Sequence, residues 1–101
     1  MKKATFIIPK QDNEGNKFPK TTVLEIQRDI LELYGGYTVR SVEGGWMDEA
    51  GKVYQEHNWE YTVVLEDSEL EALVDWLEKM KVILRQEAMF LEVSDTKVQF
   101  I

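Results

Sequence analysis

Apolar and polar residues recur along this chain in two distinct periods, and the switches between them mark out its elements. Ala4 to Ile8 is a short β-branched and aromatic run closed by Pro9, the signature of a strand. Both of its parities are apolar, Phe6 and Ile8 on one and Thr5 and Ile7 on the other, which predicts a central strand covered on both faces. Gln11 to Lys17 follows as a polar loop carrying the turn formers Asp12, Asn13, Gly15 and Asn16. Helical spacing then takes over. Thr22 and Glu25 have the spacing of a capping box, and Val23, Ile26, Ile30 and Leu33 recur on one side with Leu24 and Leu31 beside them. Gly35 and Gly36 end this helix after Tyr34.

A second helix begins at a Ser68 cap with Glu71 completing its box. Its apolar stripe is Leu70, Leu73, Val74, Leu77, Met80 and Leu84, with Glu71, Asp75, Glu78 and Lys79 outside it. Ala88 to Val93 and Thr96 to Ile101 are alternating runs about Ser94-Asp95, so a closing hairpin is expected.

Between the helices, Tyr37 to Leu65 is a long β region that turns at Asp48 to Lys52. Matching apolar residues across an antiparallel pair fixes its register. Tyr37 opposite Val63 and Val39 opposite Tyr61 also sets Arg40 against Glu60, Thr38 against Thr62 and Trp46 against Tyr54. A slip of one residue loses all of these pairs. Gly44-Gly45 allows a bulge.

The order is strand, helix, hairpin, helix, strand, with a short extra strand at the C-terminus. The right-handed crossover rule places both helices on one face of a single antiparallel sheet. The predicted class is α+β, a ferredoxin-like βαββαβ layer forming one domain over residues 1–101.

The register divides the hairpin into two faces. Tyr37, Val39, Trp59, Tyr61, Val63 and Leu65 form the better core. Arg40, Trp46, Tyr54, Glu56, Asn58 and Glu60 then lie on the side away from the helices, which is polar with two aromatics. Such a face meets water, packs on a second subunit or holds a ligand. Trp46 and Tyr54 could stack on a planar group, with Glu56 as acceptor and Asn58 as donor. Gln86 and Glu87 directly follow the second helix. A carboxylate opposes the dipole at a helix C-terminus, so Glu87 needs a partner or must lie beyond the last turn.

Charge narrows the functions. Twelve basic and nineteen acidic residues give a net charge of −7, unlike a protein that releases counterions from nucleic-acid phosphates. With no cysteine, disulfides and thiolate metal sites are excluded. Asp48, Glu49 and Glu56 do not argue for a metal, since Asp48 and Glu49 sit in a turn, where such residues are ordinary, and no phosphate-cradling loop accompanies them. His57, the single histidine, faces Glu43 in this register. A hydrogen bond or ion pair accounts for it, and no serine at a recognisable motif makes it a catalytic base. The apolar run after Lys2-Lys3 stops at Pro9, too short for a signal peptide or membrane span, so a cytoplasmic location is expected. No cofactor, nucleic acid or membrane is implied.

Three groups of residues carry a resemblance: Tyr34-Gly35-Gly36-Tyr37-Thr38-Val39; Gly45-Trp46-Met47-Asp48 with Gly51-Lys52-Val53 and Glu56; and Arg85-Gln86-Glu87-Ala88. Over residues 33–101 this pattern resembles a family of small bacterial proteins of unknown function. The resemblance implies a ferredoxin-like fold and a polar cluster of Trp46, Glu56, Gln86 and Glu87 bridging the hairpin and last strand. It implies no activity, and the exported location of many members is not carried over.

Two functions follow as expectations. One is a non-catalytic homo-oligomer, associating through its sheet face, that sequesters a small ligand or occupies a protein partner, as a phage-encoded inhibitor of a host system would. The other is a small enzyme with a pocket between sheet and helices, using Glu56 or His57. Burial of either residue in an apolar cavity would favour the enzyme.

Overall fold

Lys2–Pro9 forms β1, and its alternation decides where the core lies. The computed structural model describes the whole chain, Met1–Ile101. Ala4, Phe6 and Ile8 point to one side of β1 and are essentially inaccessible, while Thr5 and Ile7 on the other side are half-buried. The strand is central, as its composition predicts, but only one face is fully covered. The reason is that both helices lie on that same face.

Helix α1 (Lys20–Tyr34) and helix α2 (Leu70–Ile83) flank the hairpin strands β2 (Thr38–Met47) and β3 (Val53–Leu65), and β4 (Leu91–Asp95) closes the chain order. The sheet runs β2-β3-β1-β4 with every neighbouring pair antiparallel. This is the ferredoxin-like arrangement. The expected extra strand is absent: residues 96–101 carry no strand, and Phe100 and Ile101 are exposed. After Asp95 pairs with Lys2, the partner strand β1 is used up, so the chain finds only the Thr96 N–H to Met1 carbonyl bond. The last strand itself starts at Leu91, later than the alternation from Ala88 suggests.

Ile26 and Ile30 of α1 meet Leu73, Trp76, Leu77, Met80 and Leu84 on the β1–β3 surface made by Phe6, Tyr61, Val63 and Leu65. Phe6 stacks on Tyr61 with ring centroids 5.7 Å apart, and Trp76 meets Phe6 edge-on. Trp76 donates its indole N–H to Asp29 at 3.0 Å, so its polar atom is satisfied where the ring is buried. Leu24, Leu31, Leu33 and Val74 extend beyond this patch and remain exposed.

Neither helix starts as its capping pattern suggests. Pro19 immediately precedes α1, leaving Thr22 inside the first turn with no cap to make. Before α2, a 3₁₀ turn (Asp67–Glu69) takes up Ser68, and the Glu69 carboxylate accepts the Glu66 N–H at 2.8 Å. The helix ends are better explained. Gly35 stops α1 in the left-handed region (φ 77°), returning its N–H to the Leu31 carbonyl. The end of α2 is a Schellman motif, with Gln86 N–H bonded to the Lys81 carbonyl and Arg85 N–H to that of Val82. Arg85 holds the left-handed position (φ 53°) that glycine usually takes.

The hairpin register is the one that apolar matching predicts, from Thr38 opposite Thr62 to Met47 opposite Val53. No bulge interrupts it, since Gly44 and Gly45 stay paired with Glu56 and Gln55. Because β1 pairs only with residues 58–65 of β3, the outer part of the hairpin leaves the sheet as a two-stranded arm. The arm stretches the molecule to 47 × 29 × 25 Å and its radius of gyration to 14.5 Å, against about 13 Å for a compact chain of this length.

Replacing Leu73, which is fully buried, by alanine should cost about 2–5 kcal/mol in chemical denaturation. Arg85→Gly should instead leave stability unchanged or raise it by up to about 1 kcal/mol, by relieving the left-handed backbone.

Candidate functional site

Where the arm leaves the sheet, three segments surround a cleft of ≈ 660 Å³. The arm contributes Trp46, Tyr54, Glu56 and His57, and Asn58 lies at its base. The end of β1 and its following loop contribute Pro9, Gln11, Asp12 and Asn13, and the connection from α2 to β4 contributes Gln86, Glu87 and Ala88.

Strand period builds the first wall. Tyr54, Glu56 and Asn58 lie on one face of β3, so they repeat at about 7 Å and span about 13 Å. Trp46 sits opposite Tyr54, and the rings stack with centroids 4.3 Å apart and planes 10° from parallel. The Trp46 indole N–H donates to Glu56 Oε1 at 3.0 Å, which fixes the ring on the arm. Tyr54 is braced in turn by its hydroxyl, 3.4 Å from Asp48 Oδ2, while Asp48 Oδ1 accepts the Ala50 and Lys52 N–H groups of the tip. Lys52 Nζ lies 5.0 Å from the Tyr54 ring centroid.

Asn58 is different from its neighbours on this face. It is 8 % exposed, the one buried polar residue, and it pairs with Pro9 at the end of β1. No hydrogen bond within the chain engages its side-chain amide, which borders the cleft.

The second wall is ordered by Asp12. Its Oδ1 accepts the Glu14 and Asn16 N–H groups, each at 2.9 Å. The hydrogen bond from Asn16 does most to hold the Asp12 carboxyl below the usual carboxylate range, lost hydration works against it, and the Glu14 N–H adds to the lowering. Asn13 then donates to the Arg85 carbonyl at 3.0 Å and ties this loop to the third wall. There Gln86 donates to the Leu84 carbonyl at 2.9 Å, while Glu87 is exposed beyond the last turn of α2, clear of its dipole.

Six of the seven candidate residues read from the sequence therefore border one cleft: Trp46, Tyr54, Glu56, Asn58, Gln86 and Glu87. Arg40 does not. It shares their face but lies further along β2, bound to Glu60 at 2.7 Å. Trp46 and Glu56 are directly bonded, whereas Gln86 bonds only its own helix end. His57 stands opposite Glu43, its Nδ1 3.5 Å from Glu43 Oε1, and both it and Glu56 are exposed rather than sunk in an apolar cavity. The Gln11–Asn13 wall escapes sequence reasoning. Its turn chemistry is legible, but its position depends on the Asn13–Arg85 bond across 72 residues.

The lining also has a sign. None of the fourteen lining residues is lysine or arginine, and three are carboxylates, Asp12, Glu56 and Glu87. No group of three or more metal-ligating side chains comes together. No helix is long and apolar enough to cross a membrane.

At the level of sequence, no described protein family and no characterised relative matches this chain. Solved structures do resemble it. A phage SAM lyase in complex with S-methyl-5'-thioadenosine superposes with a TM-score of 0.70 at 13% identity, covering 93% of this chain and 80% of the lyase. A phage SAM lyase in its apo state gives 0.67 at 12% identity, covering 92% and 78%. A variant of CutA1 from Pyrococcus horikoshii OT3 gives 0.68 at 13% identity, covering 99% and 87%. At such identities the likeness is one of fold.

Because the folded-state value of Asp12 is depressed, its ordering of the loop is complete above the ordinary value of about 3.9 and is lost as pH falls through the folded value. An acid titration followed by NMR should show the Glu14 and Asn16 amides losing hydrogen-exchange protection together as Asp12 protonates.

Proposed function

We propose that this chain is a binding module that sequesters a small ligand bearing a planar ring in the cleft at the base of its arm. The observation that carries this reading is the array on one face of the hairpin. A pinned, half-exposed tryptophan stands at one end, and at the other the amide of the mostly buried Asn58, open to the cleft and bonded to no other group of the chain. An aromatic surface for stacking and a polar group for orientation are what a small-molecule site requires. The cleft has room for a nucleoside-sized molecule and offers no cation to a phosphate.

An adenosine thioether is the first ligand to test. The reading is supported by the phage SAM lyase that shares this fold and was solved with S-methyl-5'-thioadenosine. A phage-encoded inhibitor acting on a host system by removing such a ligand is the setting that fits it.

The module acts as a homo-oligomer through the sheet face away from the helices. Thr5, Ile7, Val42, Thr62 and Val64 are only half-buried there in a single chain, and the arm projects past it. The second reading is an enzyme on the same cleft, favoured because the structural neighbour that carries the nucleoside is a lyase. Glu56 or His57 would then need a partner subunit to take it out of water.

Native mass spectrometry of gently purified protein, with and without added S-methyl-5'-thioadenosine, tests the proposal. A multimer that gains the mass of the nucleoside is expected. A monomer that binds none overturns it. Conversion of S-adenosylmethionine into that nucleoside by purified protein would establish the enzyme instead.

A further inference from the structure

The cleft has a charge preference that its shape alone does not reveal. Glu56 uses Oε1 on the Trp46 indole and keeps its second oxygen for the cleft. Glu56 and Glu87 form no ion pair within the chain, and Asp12 is committed to its own loop. Two carboxylates with unspent charge therefore border a space that holds no lysine or arginine among its lining residues.

Acidic residues alone would make only a solvated surface. Two further observations turn this one into a site. Asn58, 8 % exposed, presents an unpartnered amide to the same space. Trp46 is 50% exposed, and its indole N–H is bonded to a carboxylate, which makes its ring a better partner for a cation. The chain already uses aromatic faces this way, with Lys52 beside Tyr54 and Lys10 Nζ 4.1 Å from the Trp59 ring centroid. Lys52 serves the tyrosine end of the stack, which leaves the tryptophan end to a ligand.

We infer that the cleft selects a ligand carrying an alkylated onium cation, a sulfonium or quaternary ammonium, seated against Trp46 beside Glu56, with the ligand's polar end on the Asn58 amide. This rests on the ligand-binding reading and adds the charge to it. An onium centre suits the position better than a primary ammonium. It is weakly hydrated, has no N–H to satisfy, and lies on an aromatic face at small desolvation cost. Trp46 and Asn58 lie about 13 Å apart along the strands, so a compact cation such as choline probes the seat at Trp46 alone. Phosphorylated ligands are excluded by the same carboxylates.

The test compares molecules that differ in charge and little else. Choline and its uncharged carbon counterpart 3,3-dimethylbutan-1-ol form one pair, and S-adenosylmethionine and the neutral thioether S-adenosylhomocysteine form the other. Binding is read by chemical-shift titration of the backbone amides of residues 54–58, which every variant keeps, and of the Trp46 indole N–H where it is present. In at least one pair the cation should bind about tenfold more tightly than its neutral partner. Preference in the first pair alone identifies an ammonium site, and in the second alone a sulfonium site. Glu56→Gln, which keeps an acceptor for the indole, should reduce that preference severalfold while affinity for the neutral partner stays. Trp46→Leu should abolish the preference, with circular dichroism confirming the fold. Equal affinity within both pairs, or tighter binding of AMP, overturns the inference while leaving a ligand-binding cleft. No binding of any of these molecules or of S-methyl-5'-thioadenosine overturns both.

Discussion

Tyr61 lies between Phe6 on β1 and Val39 on β2, stacked on the first ring and touched edge-on by Tyr37. Its hydroxyl reaches the Gln27 amide of α1, so one residue joins three strands and a helix. That position sets the parity of β3. Once Tyr61 faces the helices, Val63 and Leu65 must follow it into the core, and Glu60, Asn58, Glu56 and Tyr54 must face the other way. A slip by one residue would bury the carboxylates and expose the apolar side chains. The site is thus a consequence of packing on the opposite side of the same strand.

Strand length supplies the next step. β3 has thirteen residues and β1 has eight, so the hairpin outlasts the sheet that supports it. An isolated two-stranded ribbon is marginal in water. This one is held by the Trp46–Tyr54 stack, the Trp46–Glu56 hydrogen bond and the Asp48 turn. The contacts that stabilise the arm are therefore also those that shape the cleft. The loop after β1 and the end of α2 close its base, linked by Asn13 and the strained Arg85.

Local pairing is the part of this fold that can be read directly from the amino-acid order. Apolar matching specifies the hairpin register to the residue, and Gly35 marks the end of α1. The cap patterns at Thr22 and Ser68 mislead because Pro19 and the Glu66–Glu69 contact start the turns earlier. The run from Thr96 alternates like a strand, yet no strand is left beside it to pair with. At the site, parity alone identifies Trp46, Glu56 and Asn58. It says nothing of the Gln11–Asn13 wall, because a long-range contact positions it. Arg40 shares the parity but not the place, since position along a strand relative to its neighbours is invisible to a period of two.

The central claim is that arm, loop and helix end form one ligand site. It is tested most directly by an amide and indole NMR titration with S-adenosylmethionine on the intact protein. The account predicts that the Trp46 indole N–H, the Asn58 side-chain amide and the Ala88 backbone N–H shift together with one dissociation constant, while Arg40 stays still. Shifts confined to Arg40 and the open sheet face, or none at Trp46 and Asn58, would contradict it.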